Sequence, residues 1–159
     1  MTYPAPARAR SAQGQGGLFG AFPLLALSVI LYNLLALTIM GGFHSDAAQA
    51  SLVQVLFTIP MTSGGRWAVT VSDMMLAGSL VVLFIELLRS TTSRRVAIVN
   101  HALSMALFIA CLVELLLAPA FATSTFFLIT LMVLLDVLAG FIVTIVSARR
   151  DIDYSNGPA

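Results

Sequence analysis

Residues 123–146 read TSTFFLITLMVLLDVLAGFIVTIV, a run in which Asp136 is the single ionisable side chain. As an α-helix rising about 1.5 Å per residue, this run is long enough to cross the roughly 30 Å hydrocarbon layer of a bilayer. Leu18 to Met40, Trp67 to Leu88 and Val96 to Leu117 have the same character. Of 159 residues, 59% are hydrophobic and 9% charged, a composition outside that of soluble domains, which excludes a water-soluble fold. The expectation is an all-α integral membrane protein, an antiparallel four-transmembrane-helix bundle occupying residues 18–147.

Outward from the spans, residues 1–17 (MTYPAPARARSAQGQGG) hold too little apolar surface to offset ordering entropy and read as a flexible tail. Residues 148–159 form a second short tail. The first apolar run exceeds the roughly 7–15 residues of a signal-peptide core, so it reads as a retained span. Between spans one and two lies FHSDAAQASLVQVLFTIPMTSGGR, residues 43–66. Asp46 with Gln49 resembles a capping box, and Leu52, Val53, Leu56 and Phe57 share a side at helical spacing. A short amphipathic helix over 46–58, lying in the membrane interface, is expected; a re-entrant segment is the alternative. The Ala26-Leu27-Ser28 and Asp73 features of the first two spans are echoed by Ala102-Leu103-Ser104 and Asp136 in the last two, which raises the possibility of a parallel repeat.

All 8 basic residues are arginine. Arg8, Arg10, Arg89, Arg94, Arg95, Arg149 and Arg150 fall on one side of the expected bundle and Arg66 on the other, which places both termini in the cytoplasm. Lysine is absent from the sequence while Ala, Leu and Arg abound, which fits a bacterial inner membrane. With 7 acidic residues and net charge +1, nothing offers the basic patch that nucleic acid requires. The single cysteine, Cys111, excludes an internal disulfide and a multi-cysteine metal cluster. Neither the cysteine pairs of disulfide-forming membrane oxidases nor the first-span carboxylate of small multidrug exporters occurs; the latter position holds Asn33.

Four acids, Asp73, Glu86, Glu114 and Asp136, lie inside expected spans. An ionised side chain at the bilayer centre costs about 2.5–3.5 kcal/mol on insertion scales, so these groups must be paired, protonated, hydrated or cation-bound. Depth along the helices groups Asp73, Asp136, Glu114 and Asn33 as a proton or cation site, or as a buried polar cluster tying helices together. Ala77 beside Asp73, and Ala139 and Gly140 beside Asp136, suit close helix approach. Arg66 can snorkel to Glu114, while Glu86, turned about 140° from Asp73, pairs with Arg89. His101 and Asn100 form a candidate quinone or polar contact, and one core histidine gives a haem only one ligand from this side. Ser104, one turn after His101, is the only pairing that hints at hydrolysis, and hydrolase, Schiff-base and metalloprotease motifs are missing. The expected function is therefore non-enzymatic and without a cofactor. The leading expectation is an accessory, assembly or self-associating subunit that partners the lipid bilayer and other membrane proteins. A proton- or cation-coupled small transporter is the alternative, and a quinone- or haem-associated redox subunit the third.

Overall fold

The computed structural model describes residues 22–43, 47–89 and 94–155. The expected N-terminal tail, His44 and the Asp46 cap lie outside them. The described chain forms α1 (Leu25–Thr38), α2 (Ala48–Leu52), strands β1 (Val55–Pro60) and β2 (Arg66–Thr70), α3 (Val71–Arg89), α4 (Arg94–Leu117), a 3-10 turn (Pro119–Phe121) and α5 (Ser124–Ser155).

Three helices, α3, α4 and α5, are long and apolar enough to cross a membrane. The helix at the first expected span covers only 14 residues, about 21 Å at helical rise, and is a shorter apolar helix. Among the described residues there are thus three membrane-length helices and one shorter apolar one where four spans were expected. Two glycines end α1: Gly41 and Gly42 adopt φ of 84° and 103°, a region open to residues without a Cβ. The chain thereby curls back, and the Gly42 N–H donates to the Ala36 carbonyl at 2.8 Å.

The connection to α3 corrects the expected interfacial helix. Only Ala48–Leu52 is helical, with Ala48 and Leu52 buried. The following Val55, Phe57, Thr58 and Ile59 are β-branched or aromatic, and they extend as β1, antiparallel to β2, with Phe57 opposite Val69 and Ile59 opposite Trp67. The turn between the strands closes by Met61 N–H donation to Gly65 and Gly64 donation to Met61, with Gly64 at φ 84°. Trp67–Thr70, assigned by hydropathy to the second span, belongs to the sheet. The helix begins only at Val71, where Thr70 and Asp73 form a reciprocal cap.

Packing centres on α5, the most enclosed of the long helices, and α4 is the least enclosed. Tyr32 of α1 is fully buried and stacks at tilted angles on Phe121 and Phe126, with ring centroids 5.4 and 4.7 Å away. Leu25, Val29, Met75, Leu83, Cys111, Ile129 and Val133 complete the core. Thr123 starts α5 by accepting the Phe126 N–H on its hydroxyl, and the same hydroxyl meets the Tyr32 hydroxyl at 2.7 Å. Tyr32 also donates to the Ala120 carbonyl at 2.9 Å, so one phenol joins α1 to the turn that reverses α4 into α5. Outside this core Leu80, Val81, Phe84, Ile109, Leu116 and Ile142 are exposed, as expected of helices whose solvent is lipid.

Tyr32→Phe removes both phenolic bonds and strands the Ala120 carbonyl. Reversible unfolding in mixed micelles should show a loss of about 1–3 kcal/mol with helix content unchanged.

Candidate functional site

Asp73, Glu86, Glu114 and Asp136 each have their own partner, and the partners lie in different places. Asp73 is the third residue of α3 and half-buried; its Oδ2 accepts the Thr70 N–H and hydroxyl, both at 2.8 Å. It is a helix-start group, and Ala77, one turn on, is exposed rather than packed. Glu114 of α4 accepts from the Asn33 amide at 3.3 Å, a second bond of which runs from the same nitrogen to the Val29 carbonyl. Asn33 thus takes the place expected of Arg66, which sits exposed at the end of β2 opposite Pro60.

Glu86 departs furthest from expectation. Although close to the C-terminal end of α3, it is 2% exposed. Its Oε1 accepts the Leu24 N–H at 3.0 Å and its Oε2 the Leu25 N–H at 2.9 Å. The first amides of a helix have no intrahelical acceptor, and Leu24 provides no side-chain cap, so a carboxylate from another helix fills the role. The sequence expectation paired Glu86 with Arg89; the bonds of its carboxylate seen here run to the start of α1. Asn100 of α4 adds a long bond to Oε1 at 3.4 Å, which directs its amide to Glu86.

Asp136 sits in the middle of α5 and is 5% exposed; its Oδ2 accepts the Ser104 hydroxyl at 2.6 Å. Asn100 and Ser104, one turn apart on α4, reach Glu86 of α3 and Asp136 of α5, and the ring of His101 lies against Gly140, one turn past Asp136. Glu86, Asn100, His101, Ser104 and Asp136 therefore form one polar patch between α3, α4 and α5. Thirteen helical positions, about 20 Å, separate Asp73 from Glu86 at this patch. The structure accordingly divides the expected quartet into Asn33 with Glu114, Asp73 with Thr70, and Asp136 with Ser104.

His101 is held by shape. Its ring meets Phe141 edge-on at 5.1 Å, and its buried Nδ1 has no hydrogen-bond partner among the described residues. A Cβ at Gly140 would collide with the imidazole, so α5 needs glycine there for α4 to pass. The small residue beside Asp136 was readable from the sequence; that the ring of His101 fills the space it leaves was not. Of the two residues expected as a quinone or polar contact, His101 lies against α5 and the Asn100 amide at Glu86. Among the described residues no group of three or more His, Cys, Asp or Glu is placed to hold a metal ion.

Sequence reasoning also missed Tyr32 with Thr123, and Ser72 with Thr125, whose hydroxyls meet at 2.7 Å between α3 and α5. Hydroxyls spaced along apolar runs were the available signal. Comparison of the chain with known family models, curated proteins and solved structures yields no match.

Gly140→Ala should destabilise the α4–α5 packing by about 1–3 kcal/mol in mixed-micelle unfolding. His101→Ala in the same chain should recover most of that loss, a coupling expected only if the two positions touch.

Proposed function

We propose that this chain is a small multi-pass protein of a bacterial inner membrane, its termini in the cytoplasm, that acts by associating with other membrane subunits or with copies of itself. The observation that carries the reading is the outer face of α4. Ala102, Ala106 and Ala110 recur at every fourth residue and are all exposed, while Ser104 and Cys111 on the opposite side are buried. Small residues at this spacing let a second helix approach closely, and in lipid such packing replaces the hydrophobic effect as the force of association. The intramembrane acids support the reading from the other direction, since each is engaged in a bond that positions backbone or joins helices.

Purification in mild detergent from the native membrane, with mass spectrometry of what accompanies the chain, tests this. A stoichiometric partner or a homo-oligomer is expected. Ala106→Phe should weaken that association about tenfold, because overfilling a close contact costs about 1–3 kcal/mol, while the melting curve of the isolated chain stays unchanged. Recovery as a monomer from wild-type membranes would overturn the proposal.

Proton or cation coupling is favoured by a single observation, two buried acids, Glu86 and Asp136, both bonded to side chains of the α4 turn that carries His101. On that reading the exchanging groups are Asp136 and Glu86 rather than Asp136 and Asp73. Asp136→Asn separates the two proposals: flux lost with assembly intact favours coupling, and assembly lost favours the structural role.

A further inference from the structure

Apart from Thr70, which caps α3, the β1–β2 hairpin takes no part in the ties between helices described above, and it is two-faced. Residues opposite one another across an antiparallel pair share a face and neighbours along a strand alternate, so Phe57, Ile59, Trp67 and Val69 lie on one side. Thr58, Pro60, Arg66 and Ala68 lie on the other. On the apolar side Val69 is 4% exposed, whereas Phe57 opposite it, and Ile59 and Trp67 further out, are 49%, 37% and 51% exposed. The face is therefore anchored to the body through Val69 and is otherwise uncovered.

We propose that this overhanging face rests on the lipid bilayer, with Phe57, Ile59 and Trp67 at the boundary between headgroups and acyl chains and Arg66 paired to lipid phosphate. Three observations choose lipid over a protein. The hairpin runs into α3 with no intervening residue, Thr70 ending β2 and Val71 beginning a helix of membrane-spanning length, so it stands where that helix meets the interface. Its uncovered face is continuous in the chain with the exposed apolar surface of α3 that starts at Met74 and proceeds through Leu80, Val81 and Phe84. Arg66 is exposed on the polar face near the tip, where an anionic headgroup complements it.

Depth follows from the backbone. A two-stranded sheet has two outer edges whose N–H and C=O groups need partners, which hydrocarbon cannot supply and the hydrated headgroup layer can. The hairpin consequently lies along the interface and does not insert. Tryptophan at this level is favourable because its ring is apolar and its N–H finds an acceptor.

Trp67 is the only tryptophan in the chain, so its emission reports on the hairpin alone. The full chain is reconstituted in vesicles of phosphatidylcholine and phosphatidylglycerol, with bromine carried either near the headgroup end of the acyl chain or near its terminus. Shallow bromine should quench Trp67 about twofold more strongly than deep bromine, and aqueous iodide should quench it poorly. Phe57→Ser combined with Ile59→Ser should shift the emission to the red and cut the shallow quenching about twofold, with helix content retained. Arg66→Glu should increase iodide access in vesicles containing phosphatidylglycerol and have less effect in phosphatidylcholine alone. Strong iodide quenching of the wild type without bromolipid quenching would overturn the proposal by placing the hairpin in water. Shielding from both quenchers would overturn it too: loss of that shielding on dilution in lipid would identify a second copy as the cover, and persistence a cover from the chain itself.

Discussion

The carboxylate of Glu86 receives the N–H groups of Leu24 and Leu25, and this crossing bond determines where the short helix can sit. A helix in lipid must satisfy its first amides, and α1 begins after Pro23 at a leucine that has nothing to offer them. At 14 residues α1 is shorter than the three membrane-length helices. Glu86 brings an acceptor to its start from the far end of α3. Once α1 is held there, its next turns bring Tyr32 onto Phe121 and Phe126, and the following residue, Asn33, to Glu114.

The remaining polar groups follow the same economy. Among membrane-length helices with exposed leucine, valine and phenylalanine, a polar side chain is tolerated when another group takes its hydrogen bonds. Asp136 takes the Ser104 hydroxyl, Thr125 meets Ser72, and Thr123 serves its own helix and Tyr32 together. Among the described residues His101 is the exception, with a buried Nδ1 lacking a partner, and it is fixed instead by a glycine cut-out and an edge-on phenylalanine. The structure thus uses its acids as ties between elements and leaves the alanine face of α4 and the apolar face of the hairpin uncovered, the first suited to a helix and the second to lipid.

Much of this was legible in the residues. The apolar runs gave the three long helices to within a few residues except at the end of α5, which runs past Val146 to Ser155, and helical depth brought Asn33 and Glu114 toward the same layer. The hairpin was not legible because the helical spacing of Leu52, Val53, Leu56 and Phe57 competes with the two-residue alternation of Phe57 and Ile59, and the cross-strand pairing with Trp67 and Val69 decides between them. The true start of α3 did carry a signal, since Thr70 followed three residues later by Asp73 has the form of a capping box; hydropathy counted through it. The partner of Glu86 could not be read at all, because a backbone amide has no residue type to announce it, and the nearby Arg89 supplied a more obvious pairing.

Amide hydrogen exchange at Leu24 and Leu25, followed by NMR in lipid bicelles for the wild type and Glu86→Leu, tests the central claim most directly. The account predicts that both amides exchange slowly in the wild type and that protection there collapses in the variant, while amides in the middle of α5 stay protected. Fast exchange at Leu24 and Leu25 in the wild type, or protection indifferent to the loss of the carboxylate, would contradict the claim that Glu86 holds the short helix in place.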